Sequence, residues 1–317
     1  MFELHKKREL SDNLGNSFTF FKTYGKHFFK IFFVVNGGFL LFFGAFIYLF
    51  LKVNFDSVRD ANVNNDPFNA LLSYFNNNEA VLISMIAVFA VAIIVLSLFN
   101  YAYPVLYLKL IGEKNSNDFT INEIMTSFRQ SIWKLIKFTI GCVFIIMPLL
   151  LITLIVLIFL CFIIVGIPLI MISIPAFFSF LNFSFYAYIT DDKRFFESLN
   201  HAYHLVKEDF WNTIGATFIM MMILQLIQVS ITFFFYFVGI SIFIASQIGA
   251  SGFNNVEPFE PSPLIIIFIT AIVLFIMVLS SVFNNILIIN QGMIYYSLEA
   301  KNRSLNTEID LIGDSNE

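Results

Sequence analysis

Hydrophobic positions run along this chain in long unbroken blocks, separated by segments in which they recur every three or four residues. Phe138–Thr190 covers 53 residues without one Asp, Glu, Lys or Arg, and Trp211–Val256 covers 46 more. About 20 apolar residues in helical form cross the hydrocarbon of a bilayer, so the blocks predict transmembrane helices. Six spans fit, at about 31–51, 81–108, 138–163, 168–190, 212–246 and 263–297. The 53-residue block is too long for one helix. Val165-Gly166-Ile167-Pro168 supplies its break, because Gly and Pro punctuate helices. The fifth and sixth spans exceed the bilayer thickness, which tilting or protruding ends accommodate.

The segments between blocks have a different period. Wound as a helix, FFESLNHAYHLVKEDFW (Phe195–Trp211) puts Phe195, Phe196, Leu199, Ala202, Tyr203, Val206 and Phe210 on one face. Glu197, His201, His204 and Glu208 fall opposite. Such an amphipathic helix buries its apolar face at the headgroup boundary or against the cytoplasmic end of the bundle, and a tryptophan suits the headgroup level. Phe196, Leu199, Tyr203, Phe210 and Trp211 are therefore the expected membrane-surface residues. Surface helices are predicted at about 10–29, 120–137 and 194–210, the second opened by a Thr120-x-x-Glu123 capping box. The three share a spacing in LGNSF (14–18), IMTSF (124–128) and LNHAY (199–203). Spans two, four and six carry Asn and then Tyr toward the end nearest the charged segments, in FNYAYPVLY (99–107), LNFSFYAYIT (181–190) and NQGMIYY (290–296). The chain reads either as three repeats of surface helix plus helical hairpin or as chance similarity in a sequence rich in Phe and Asn.

Composition agrees with a lipid solvent. Hydrophobic residues make up 58% and charged ones 13%, where a soluble domain carries about 25% charged. Sixteen of the 18 Lys and Arg fall before span one, between spans two and three, between spans four and five, and after span six. Only Lys52 and Arg59 lie in the alternate loops. The positive-inside rule then places both termini in the cytoplasm, with loops 53–80 and 247–262 outside. The resulting fold class is all-α: a polytopic bundle of six transmembrane helices, N-in and C-in. It forms one integral membrane domain over 1–300, with a polar cytoplasmic tail at 301–317. A net charge of −4 argues against nucleic acid. Cys142 and Cys161 share one apolar block and suggest neither a disulfide framework nor a zinc site. The polar start MFELHKKRELSDNLGNS does not read as a signal peptide. The abundance of Phe, Ile and Asn suits an AT-rich bacterial genome.

Candidate chemistry is sparse. Glu197, His201, His204 and Glu208 share a helix face at a spacing that could hold a transition metal. A metal site also wants ligands from a second element, and the sequence offers no partner motif for these four. They read as a solvated face with Glu/His pairs, and no metal ligand is assigned. No HExxH, Walker A, GxSxG or paired catalytic carboxylates occur, so no catalytic residue and no cofactor is expected. The spans lack the ionisable residues that ion-coupled transporters use. Their polarity comes from Gln225, Gln228, Asn284, Asn285 and Gln291. These could tie helices together or line a polar cavity.

Tyr186–Trp211, YAYITDDKRFFESLNHAYHLVKEDFW, resembles bacterial six-span proteins of the YciC-like kind. It also resembles the membrane domain attached to some glycerophosphodiester phosphodiesterases. The resemblance rests on Asp191, Leu199, Ala202, Tyr203, Lys207, Phe210 and Trp211, over about 25 residues. It implies an integral inner-membrane protein of bacteria. It brings no catalytic residue, because in those phosphodiesterases hydrolysis belongs to a separate soluble barrel domain. The expectation is a non-enzymatic protein that organises or assists membrane lipids or partner proteins. The alternative is a transporter or channel for a neutral or amphiphilic molecule.

Overall fold

The computed structural model describes residues 10–60, 79–114, 116–162, 164–251 and 263–314. These form helices and short turns, with no strand among the described residues. The helices are α1 (Leu10–Asp60), α2 (Glu79–Lys114), α3 (Ile121–Gly141), α4 (Met147–Cys161), α5 (Gly166–Thr190), α6 (Phe195–Glu208), α7 (Phe210–Ser251) and α8 (Pro263–Asp314). Among the described residues six stretches are long and apolar enough to cross a membrane, and the chain is a multi-pass membrane protein. Only 6 to 28% of each span's most apolar window is buried inside the protein. Exposed apolar surface on that scale is stable only where lipid covers it. The inferred outer loops fall largely on residues 61–78 and 252–262, which lie outside the described residues, as do the first nine and last three.

Several boundaries differ from the sequence reading. Surface segment 10–29 and span 31–51 belong to one uninterrupted helix, α1. Segment 120–137 likewise continues into its span: α3 passes through a π-helical turn at Cys142–Ile146 into α4. Pro148 explains that turn, because it has no N–H and its ring crowds the carbonyl four residues back. Met147 N–H instead reaches Cys142 O. Of the three expected surface helices, only α6 stands alone, set off from α7 at Asp209. The capping box at Thr120 does not form: Thr120 makes no side-chain cap, and Glu123 pairs with Lys114 at 2.5 Å. The three LGNSF-like segments also bury different positions. Ser17 and Ala202 are buried in the first and third, whereas Ile124 and Phe128 are buried in the second.

The break in the long apolar block falls between Cys161, which ends α4, and Gly166, which opens α5 at the predicted Gly-Pro pair. Gly166 opens α5 at a close approach, since a Cβ there would lie 2.3 Å from Cys161 N. Helices α7 and α8 are continuous over 42 and 52 residues.

The chain divides into two compact units, 1–33 with 100–224 and 283–317, and 34–99 with 225–282. The first holds all Lys and Arg except Lys52 and Arg59. Its core is aromatic. Tyr103 O–H donates to Phe28 O at 2.6 Å, and His27 lies 2.8 Å from Tyr107 Oη and 3.2 Å from Phe119 O. A buried bond from Asn290 to Ser17 Oγ, 3.0 Å, ties α8 to α1. The second unit packs by rings and close helix approach. Phe46 stacks on Phe89 at 4.2 Å, and Gly44 faces Leu274 where a side chain would collide.

Candidate functional site

The charged segment between the two longest apolar blocks folds as a turn and a helix whose faces do three different things. Helix α5 ends at Asp191, and Asp192 takes a left-handed conformation (φ 55°) that Asp tolerates better than most residues. Lys193 N–H then reaches back to Ala187 O at 3.3 Å. Lys134 of α3 pairs with Asp192 and holds its carboxyl below the usual carboxylate range. Lys109 of α2 donates to Ile189 O at 3.1 Å, a cation on the carboxyl end of a helix dipole. At the start of α6, Arg194 N–H donates to Glu197 Oε2 at 3.4 Å.

Beyond this turn three elements converge. Asp191 caps α5, His201 lies in the middle of α6, and Glu299 lies in α8. Single ligand atoms from the three all fall within 4.8 Å of one another. His201 Nε2 is 2.5 Å from Glu299 Oε1. Tyr295 O–H donates to Asp191 Oδ2 at 2.5 Å, and Lys193 Nζ lies 3.8 Å from the same oxygen. Arg303 Nε is 4.0 Å from Glu299 Oε2, the oxygen turned away from the histidine.

The set Glu197, His201, His204 and Glu208 is thus divided among separate tasks. Glu197 caps the helix, His201 joins Glu299, and Glu208 lies 3.9 Å from Lys301. His204 is exposed beside Tyr203. The partners that the sequence could not supply for His201 come from residues 10 before it and 98 after it. Nothing in the local sequence marks Glu299, which follows an apolar span like any boundary charge.

The buried stripe of α6 is Ser198, Ala202, Leu205 and Val206. It is rotated by roughly a quarter turn from the predicted apolar face. Small residues at 198 and 202 let the helix dock closely, and part of the apolar face is left outside. Phe196 is 68% exposed, Tyr203 54% and, at the start of α7, Trp211 71%; Leu199 and Phe210 are half-buried. Lys207 is exposed one turn from Tyr203. Helix α3 repeats the arrangement. It buries Ile124, Phe128, Ser131, Leu135 and Phe138. Outside, Met125, Arg129, Trp133 and Lys137 recur every four residues and are exposed, Trp133 by 70%. Both tryptophans of the chain are therefore exposed, Trp133 one turn from Arg129 and one turn from Lys137.

The intramembrane amides behave differently from one another. Gln291 is fully buried, and its Nε2 donates to Thr217 Oγ1 at 2.9 Å. Thr217 in turn donates to Thr213 O at 2.8 Å, so its partner Ser179, also at 2.8 Å, must be the donor in that pair. One hydroxyl thus joins α5, α7 and α8. Asn285 is fully buried, and Asn284 is half-buried. In the second unit Gln225 is exposed and Gln228 half-buried. A cleft of about 260 Å³ lies between α4, α5 and α7, lined by Leu154, Leu157, Ile174, Phe177, Leu181 and Met221 among others. It is smaller than the usual ligand pocket of about 300 Å³ or more. The hydroxyl of Thr153 in its wall is turned to Leu149 O. No family model, curated protein or solved structure matches the chain.

Proposed function

We propose that this is a non-enzymatic, multi-pass protein of a bacterial cytoplasmic membrane that gathers anionic lipid around its cytoplasmic end. The observation that carries the reading is the exposed Arg129–Trp133–Lys137 stripe of α3, matched by Phe196, Tyr203 and Lys207 on α6. A ring that prefers the headgroup level, flanked one helical turn away by cations, is the arrangement that anionic headgroups favour. Each Lys or Arg near such a surface contributes about 1 kcal/mol. The distribution of Lys and Arg along the chain supports the cytoplasmic side.

The test is native mass spectrometry of delipidated protein in detergent, titrated with phosphatidylglycerol or phosphatidylcholine. Phosphatidylglycerol should be retained preferentially, and the preference should fall several-fold in the R129Q/K137Q/K207Q variant. Equal retention of the two lipids by the unaltered protein overturns the proposal.

A further inference from the structure

We propose that Asp191, His201 and Glu299 form a binding site for a divalent first-row transition-metal ion. Three features point to it together. The ligands come from three separate elements, the end of α5, the middle of α6 and the late part of α8, so the site exists only in the folded protein. Their donor atoms lie within 4.8 Å of one another. Metal–ligand bonds of about 2.0–2.2 Å put neighbouring ligand atoms roughly 3–3.6 Å apart and opposite ones about 4.2 Å apart. Entry of the ion needs the His201–Glu299 hydrogen bond, 2.5 Å, to open by about 1 Å, which side-chain rotation supplies.

The donor set also matches in charge and softness. Two carboxylates and a neutral imidazole offset a dication. An imidazole among oxygen donors, without a thiolate, suits zinc, manganese, iron(II), cobalt or nickel rather than magnesium or calcium.

Each carboxylate has a further partner, as metal ligands usually have. Tyr295 O–H holds Asp191 Oδ2, and Arg303 lies by the far oxygen of Glu299. Lys193 and Arg303 balance the two carboxylates when no ion is bound, and Lys193, on a flexible stem, is the group that swings away. A bound ion would fasten α6 to α8 through His201 and Glu299. The site itself does not depend on the lipid reading above.

The experiment uses the full chain in detergent, stripped with a chelator and titrated with cobalt(II) alone. The ligand-field absorption and the heat of binding are recorded, with the melting temperature at saturation. One equivalent should bind and raise the melting temperature. His201→Gln and Glu299→Gln should each lose more than the roughly 10–100-fold in affinity that loss of a supporting partner costs. His204→Gln and the pair Glu197→Gln/Glu208→Gln should bind as the unaltered protein does. No stoichiometric binding of cobalt(II) by the unaltered protein overturns the proposal. So does binding that follows His204 instead of His201, which would place the ion on the face of α6 alone.

Discussion

Tyr186 lays its ring against the backbone of Gly292. Its hydroxyl donates to Ile288 O at 3.0 Å, and a Cβ on residue 292 would lie 2.4 Å from the tyrosine's Oη. Helix α8 thus passes α5 at a distance only glycine permits, and the tyrosine uses the space to bond one turn back along α8, at Ile288. Gly292→Ala should gain about 1 kcal/mol of helix propensity. It should lose more than that to overpacking, which costs about 1–3 kcal/mol. A lowered melting temperature in detergent is the expected outcome, with a larger drop for Gly292→Val.

The hydroxyl of Thr217 serves Ser179, Gln291 and its own helix at once. Hydrogen bonds between membrane helices are worth about 0.6 kcal/mol on average and up to about 1.7. Thr217→Val removes two of them at nearly constant volume and should cost about 1–3 kcal/mol. Thr217→Ser should cost less, and Gln225→Leu, at an exposed position, should leave the melting temperature unchanged.

Asp192 holds a left-handed backbone conformation in the turn before α6. A β-branched residue there should pay about 1–2 kcal/mol, so Asp192→Val should unfold earlier on heating. Asp192→Gly should stay close to the unaltered protein, because its backbone freedom offsets the lost contact with Lys134.

Docking and outward exposure of α6 should separate by mutation. Ala202 is fully buried, and Ala202→Leu should cost about 1–3 kcal/mol by overpacking. Phe196→Ser with Tyr203→Ser should leave the melting temperature in detergent nearly unchanged while weakening phosphatidylglycerol retention.

The six spans were legible because uninterrupted apolar runs have one physical use at this length. The break between Cys161 and Gly166 was legible from Gly166 and Pro168 to within a few residues. The continuity of α1 through Lys30 and of α3 through Lys137 was not, because a charge at the membrane boundary does not stop a helix. The rotation of α6 escaped for a related reason. Periodicity shows that Phe196, Tyr203 and Ala202 share a broad face, but it does not say which part of that face docks on neighbouring helices and which stays exposed. The Asp191–His201–Glu299 cluster depends on a contact spanning 98 residues, and nothing local to Glu299 marks it. Gln291 was singled out by its polarity inside an apolar span, yet its partner Thr217 looked like any other helix hydroxyl.

The most direct measurement follows the fluorescence of Trp211 in a Trp133→Phe protein, reconstituted in lipids brominated at successive acyl positions. If the junction of α6 and α7, where Trp211 stands, lies in the headgroup region, bromines nearest the headgroup should quench most and water-soluble acrylamide should quench weakly. Strong quenching by acrylamide with none by any brominated lipid would place Trp211 in water and contradict the account.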